Sequence, residues 1–222
     1  WAHLFVEAKK LAFADRAKFY ADMQMADVPL AQLISKKYAA QRRELFDPNQ
    51  ALVGVPAGDP KLVHGDTIYL CVVDKDRNCC SFIQSNYYGF GSMVTPGDVG
   101  FVLQNRGALF ALDETHPNRL EPHKRPFHTI IPAFVMKDGE PLMSFGLMGG
   151  AMQPQGHAQI VVNMVDFGMN LQEAGDAPRW DHTGGASPTG DTRGAGAVRI
   201  ESGIPYSTIR GLLDKGHQVR YA

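Results

Sequence analysis

The 222 residues suffice for one large domain or two small ones. Hydrophobic residues make up 44% and charged residues 20%, an ordinary globular composition that excludes a disordered chain. Lys and Arg total 22 against 23 Asp and Glu, which leaves no basic excess for nucleic acid or an anionic membrane surface. The longest apolar runs, such as Ile130 to Met136, are far too short to cross a bilayer.

In chain order, Leu4, Phe5, Ala8, Leu11 and Ala12 have the spacing of an amphipathic helix over residues 1–23. A second helix is expected from Asp27, with Asp27 as N-cap, Pro29 in the first turn and an apolar stripe of Leu30, Leu33, Ile34 and Tyr38. Pro48, Gly54, Pro56, Gly58 and Pro60 then mark an exposed linker over Asp47 to Asp66. A hairpin follows. Its first strand runs from Thr67 to Val73, its turn covers Asp74 to Asn78, and its return strand runs from Cys79 to Tyr87. Cys71, Cys79 and Cys80 lack metal-ligand spacing and read as small buried side chains, or as a cross-hairpin bridge if the protein is exported.

A strand is expected at Gly100 to Asn105, and a second hairpin at Thr129 to Met136 and Pro141 to Gly146 around the turn Lys137 to Glu140. Gly149-Gly150 opens a helix to about Phe167 with Ile160, Val161, Met164 and Val165 on its buried side. A shorter helix spans Leu171 to Ala177, a loop Thr183 to Gly196, a strand Ala197 to Glu201 and a helix Pro205 to Lys215. The chain starts at Trp1 in helix and ends at Gln218 to Ala222 in strand, so both ends read as cut from something longer. Hairpins mixed with helices predict an α+β fold with helices on antiparallel sheet.

A threonine at a loop-to-strand boundary is ordinarily a solvated β-former. Thr67 differs in its surroundings, because an exposed linker ends at Gly65-Asp66 and a strand begins directly after it. Cleavage before Thr67 would free an α-amine of pKa about 8, poised to act as base for the hydroxyl of the same residue. Gly146 to Gly150 lies between strand and helix, where unpaired N–H groups can stabilise an oxyanion. A plain tight turn is the alternative there, and the pattern matches neither dinucleotide nor phosphate-loop spacing. His157 reads as a helix-face or core residue, and Asp181-His182 has no metal-ligand partner, so neither metal nor cofactor is expected.

Thr67, Val72-Val73-Asp74-Lys75-Asp76 and Asn78 together resemble the start of the small subunit of γ-glutamyltransferases. Lys124-Arg125-Pro126, Ile131-Pro132, Lys137-Asp138-Gly139, Gly149-Gly150, Asp166-Phe167-Gly168 and Ala177-Pro178-Arg179 follow in that family's order. The resemblance covers nearly all of the chain after Gly65, and the residues before it are similar to the end of the large subunit.

The resemblance implies a precursor cleaved between Asp66 and Thr67, residues 1–66 belonging to the large-subunit region and 67–222 to the small. It also implies a partial four-layer αββα N-terminal-nucleophile sandwich. The implied activity is transfer of a γ-glutamyl group from a small amide such as glutathione to water or an amine, through a threonine acyl-enzyme. The implied partner is the large-subunit remainder of the same precursor. By resemblance Thr67 is the nucleophile, Ser85 its hydroxyl partner, Gly149 and Gly150 the oxyanion hole, and Asn86 or Tyr87 a substrate contact.

The chain departs from the glutathione-hydrolysing pattern at the head group. Arg106 and Leu109 stand where that pattern holds the substrate's α-amine, and His128-Thr129 replaces paired serines that hold its α-carboxylate. A cation and an aliphatic chain cannot bind an ammonium. Arg106 and His128 suit a carboxylate-bearing acyl group without an α-amine, such as a glutaryl amide, as in cephalosporin acylase-like relatives; alternatively Arg106 forms a salt bridge within its loop. A non-catalytic binding or structural member is a third reading, and the compartment stays open.

Overall fold

The computed structural model describes residues 1–52, 65–190 and 195–222. Most of the expected linker, including Gly54, Pro56, Gly58 and Pro60, lies outside the described residues, as do residues 191–194 of the expected loop. The chain divides into two compact units. One comprises Trp1–Lys61, Gly107–Phe127 and Pro178–Ala222, the other Leu62–Arg106 and His128–Ala177.

In the first unit, helix α1 (Ala2–Phe19) is followed by two short helices, α2 (Leu30–Leu33) and α3 (Lys36–Arg43). The single helix expected from Asp27 is therefore broken. Ser35 adopts an extended conformation and its hydroxyl accepts Tyr38 N–H at 3.1 Å, so the effective N-cap is Ser35, not Asp27. A three-stranded sheet contains β5 (Trp180–Thr183), β6 (Ala197–Ile200) and β7 (Val219–Tyr221), with β5–β6 antiparallel and β6–β7 parallel. The sequence reading missed β5, a four-residue strand.

Helix α6 (Tyr206–Asp214) and α1 supply the rest of this core. Val6, Trp180, Val198, Ile200, Ile209 and Leu212 form one buried cluster, joined by Ala2, Phe5, Ile204 and Val219. Burying each large aliphatic chain is worth about 1.5–3 kcal/mol. Trp180 also packs edge-on against Phe5 at 4.8 Å. Asn118, fully buried, donates to the carbonyls of Leu109 and Pro188 and accepts Phe127 N–H, closing the segment from Leu109 to Phe127.

The second unit is built on two hairpins. Strand β1 (Gly65–Val73) pairs with β2 (Cys79–Tyr88), and β3 (Ala133–Lys137) with β4 (Glu140–Phe145). Asp74 closes the first turn, its carboxylate accepting N–H from Asp76 and Asn78. Two side-chain bonds tie the hairpins together, and a third ties β1 to β2. The Tyr69 hydroxyl bonds Ser81 Oγ at 2.8 Å and Ser144 Oγ at 3.2 Å, and Arg77 donates to the Pro141 carbonyl.

The expected strand at Gly100 to Asn105 is absent. That segment folds back irregularly instead, Leu103 bonding Ser92 and Val94, and Asn105 N–H donating to the Asn86 carbonyl. The cysteines are not buried: Cys71 and Cys80 are exposed, Cys79 is half-buried, and all three are free thiols. They sit on the distal half of the first hairpin, where Leu70, Val72 and Val73 are exposed as well.

Helix α4 (Met152–Val165) begins after Gly149-Gly150 as expected, and α5 (Leu171–Asp176) is closed by an Asn170–Glu173 capping box. The buried part of α4 is polar, however. Gln153, Gln155, His157 and Gln159 are buried, while Val165 is exposed. Burial follows position along the helix: its first half lies against β4, with the tilted Phe145 and His157 rings 4.8 Å apart at their centres, and Gln153 Oε1 accepts Ile131 N–H at 2.8 Å. Among the described residues no helix is long and apolar enough to cross a membrane.

Candidate active site

Thr67, Ser85, Asn86, Tyr87, Arg106, His128, Thr129, Gly149 and Gly150 lie in the second unit, whereas Leu109, named with Arg106 at the head-group position, is buried in the first. Thr67 is buried within β1, and its hydroxyl donates to Ser85 Oγ at 2.9 Å. The two are cross-strand partners because the register breaks between Asp66 and Thr67: Asp66 pairs with Tyr87, Thr67 with Ser85, and Asn86 is the extra residue of the bulge. A bulge re-aims side chains at such a position and bends the strand. Without it, Thr67 would face Asn86.

The bulge forces Tyr87 to φ +80°, an unusual conformation for a bulky residue. Tyr87 N–H then donates to the same Ser85 Oγ at 3.0 Å. Ser85 oxygen thus accepts two bonds, one from a fixed backbone donor, and its position is set by the strand. Strain of this kind persists only where surrounding contacts hold it. Nothing in the sequence signals it, since Tyr87 reads as an ordinary strand residue.

Behind Tyr87 sits Arg106, only 5% exposed, with its guanidinium 5.0 Å from the Tyr87 ring centre. Arg106 Nη1 donates to Thr129 Oγ1 at 3.0 Å, Thr129 itself being buried, and Arg106 N–H donates to Gln104 Oε1. Arg106 Nη2 is buried without a hydrogen-bond partner, and no carboxylate pairs with this side chain among the described residues. The intraloop salt bridge weighed from sequence is therefore not found there. Burial alone pushes the guanidinium's pKa down, with Tyr87 opposing. His128, next to Thr129, is exposed.

The Asn86 backbone carbonyl accepts Asn105 N–H at 3.1 Å, and Asn105 Oδ1 in turn accepts Tyr88 N–H. Gly149 and Gly150 both have positive φ, +106° and +59°, and their carbonyls accept Met152 and Gln153 N–H as α4 begins. Their own N–H groups have no hydrogen-bond partner among the described residues, as expected of donors just outside a helix. No direct bond joins them to Thr67. The link runs through Tyr69, two residues after Thr67, whose ring lies where a Cβ on Gly146 would stand, 2.4 Å away. Gly146 is thereby explained: only glycine lets β4 pass this close to Tyr69. His157 is buried, and desolvation lowers its pKa.

The model of the family described as Gamma-glutamyltranspeptidase matches residues 1–222. The chain belongs to that family. It is 44% identical over 219 residues to a glutathione hydrolase-like YwrD proenzyme of Bacillus subtilis, covering 98% of this chain and 39% of that protein. It is 37% identical over 219 residues to an oxamate amidohydrolase proenzyme of Klebsiella pneumoniae, again covering 98% and 39%. Among solved structures, the cephalosporin acylase from Bacillus halodurans superposes with a TM-score of 0.83 at 43% identity, over 100% of this chain and 38% of that one. The chain thus spans about two-fifths of the length of these relatives. The fold is α+β, the partial N-terminal-nucleophile αββα sandwich that the family resemblance implies.

Proposed function

We propose that the protein carrying this chain is a self-processing amidohydrolase or acyltransferase with Thr67 as nucleophile. The observation that carries the reading is the Thr67–Ser85 hydroxyl pair, held by a bulge and a strained Tyr87. In the continuous chain Thr67 N is a peptide nitrogen. Hydrolysis of the Asp66–Thr67 bond consumes one water and yields the Asp66 carboxylate and the Thr67 α-amine. That amine then takes the Thr67 hydroxyl proton as oxygen attacks an amide carbonyl. The amine product leaves, and water or an acceptor amine releases the acyl group.

Gly149 and Gly150 N–H groups serve the oxyanion, and Ser85 positions Thr67. Residues 1–66 and 67–222 are the two sides of the cut, and the remainder of the large subunit is the partner. The substrate is a small amide; relatives named glutathione hydrolase and acylase proenzymes support this class.

For the acyl group, a second reading is favoured by Arg106. A buried guanidinium whose Nη2 has no hydrogen-bond partner, and which has no paired carboxylate, among the described residues carries a desolvation penalty. A substrate carboxylate in the glutaryl position removes it by a charge-assisted hydrogen bond, whereas the ammonium of a γ-glutamyl group is repelled. Thr129 orients the guanidinium, and Asn86, Tyr87 and His128 border the acyl chain. Comparing anilide release from γ-glutamyl and glutaryl substrates by the full-length protein tests this. Faster turnover of the glutaryl anilide is expected, and efficient turnover of the γ-glutamyl compound alone refutes the Arg106 assignment.

A further inference from the structure

In the first unit, helix α1 places His3 and Glu7 one turn apart, and the turn after α6 brings His217 beside them. All three are buried, Glu7 completely. His3 Nδ1, His217 Nε2 and one Glu7 oxygen lie within 4.8 Å of one another. Nothing in the catalytic reading requires two histidines and a carboxylate here.

We propose that His3, Glu7 and His217 form a two-histidine, one-carboxylate site for a divalent transition ion of the zinc class, fastening α1 to the C-terminal part of the first unit. Two features beyond proximity point to a ligand set. His3 Nε2 is 2.8 Å from the Asp47 carbonyl, which can only accept, so the ring proton sits on Nε2 and Nδ1 presents its lone pair to the cluster. Glu7 Oε2 accepts Leu52 N–H at 2.9 Å, which leaves Oε1 facing the histidines. Anchoring a ligand through its far atom by a backbone group is the support that fixes orientation at metal sites.

Two of the three ligand separations are close to those needed, and the third is within 4.8 Å. Ligand atoms about 2.0–2.1 Å from a tetrahedral ion stand roughly 3.3 Å apart. His3 Nδ1 and His217 Nε2 are 2.7 Å apart, and His217 Nε2 and Glu7 Oε1 3.7 Å, so one pair opens and the other closes by about half an ångström. The proton that now bridges the two rings moves from His217 Nε2 to its Nδ1 as Nε2 takes up the ion; both rings stay neutral.

Lys10 opposes occupancy. Its Nζ lies 2.8 Å from Glu7 Oε1 and also donates to the Leu52 carbonyl at 3.2 Å. An arriving ion displaces the ammonium from the carboxylate, so Lys10 sets the affinity of the site.

The test uses the full-length protein stripped with a chelator and titrated with Co²⁺, followed by visible absorption, and with Zn²⁺, followed by calorimetry. One equivalent with a tetrahedral Co²⁺ spectrum and a raised Tm is expected. His217→Ala and His3→Gln should each weaken binding by about 100-fold, and Lys10→Met, which keeps both histidines and the carboxylate, should tighten it by at least about tenfold. Circular dichroism of each variant shows whether it has folded, and Lys10→Met serves if the histidine variants do not fold. Binding of no ion by either wild type or Lys10→Met, or stoichiometric binding unchanged in His217→Ala, overturns the proposal. Cleavage before Thr67, read on the same samples, reports on the proposed activity separately.

Discussion

The Thr67 hydroxyl donates to Ser85 Oγ at 2.9 Å across a register break that also turns Tyr87 N–H onto the same oxygen. In the proposed reading Ser85 therefore orients Thr67 as the nucleophile. Replacing Ser85 with Ala frees the Thr67 rotamer and removes the acceptor of both bonds. The expected result is a fall in kcat of about 100-fold with little change in KM, as for a misplacement of reacting atoms. Ser85→Thr keeps the hydroxyl and should restore most of the rate. Steady-state kinetics on both variants check this.

Gly149 and Gly150 are predicted to tolerate alanine unequally. At φ +106° Gly149 occupies a region that L-residues avoid, and an added Cβ would also stand 3.1 Å from Met152 Cβ. Gly150 at φ +59° is in the left-handed region, which a side chain enters at a cost of about 1–2 kcal/mol. Gly149→Ala should therefore lower kcat more than Gly150→Ala, by up to about 10²–10³-fold if the oxyanion donor is lost. Equal and small effects would mean that the turn is only structural.

Arg106→Met should separate stability from activity. The change removes a buried cation whose Nη2 has no partner among the described residues while keeping much of the side-chain volume over Tyr87. Thermal stability is expected to hold or rise, by about 1–4 kcal/mol at most. Activity on a carboxylate-bearing acyl amide should fall through KM, and an acyl amide without the carboxylate should become the better substrate. Calorimetry and paired kinetics give both readings.

Stability should fall on mild acidification through His182. Burial first, then Lys9 and Lys10, lower its pKa to about 3 from 6.5, the Ala195 carbonyl opposing and His217 adding slightly. Its Nδ1 faces Lys9 Nζ at 3.0 Å, so the ring is held neutral. Below pH 6.5 the unfolded chain takes up this proton and the folded chain does not. The stabilisation is thus complete above pH 6.5 and is lost progressively as pH falls toward 3. Tm measured from pH 7.5 to 4.5 should drop less steeply in His182→Gln than in the wild type.

How far these features were visible in the sequence depends on whether they are local. Both hairpins, the helix start at Gly149-Gly150 and helix α6 are written in turn residues and periodicity, and the structure places them within a few residues of expectation. The Asp27 cap failed because Ser35 breaks the helix and caps the next. The Gly100 to Asn105 strand failed because its partners are loop carbonyls rather than a sheet edge. Thr67 and Ser85 could be named from family motifs, but the bulge that faces them and the φ of Tyr87 emerge only when the strands pair. Likewise the His3–Glu7–His217 cluster joins residues more than 200 positions apart, a distance no spacing rule covers.

The central claim is that the chain is cut before Thr67. Expressing the full-length protein and determining the mass and N-terminal sequence of its smaller fragment tests that claim most directly. The account predicts two polypeptides, the smaller beginning Thr-Ile-Tyr-Leu, and a single uncut band for Thr67→Ala. A folded wild-type protein that remains one chain, or a fragment beginning at any residue other than Thr67, would contradict it.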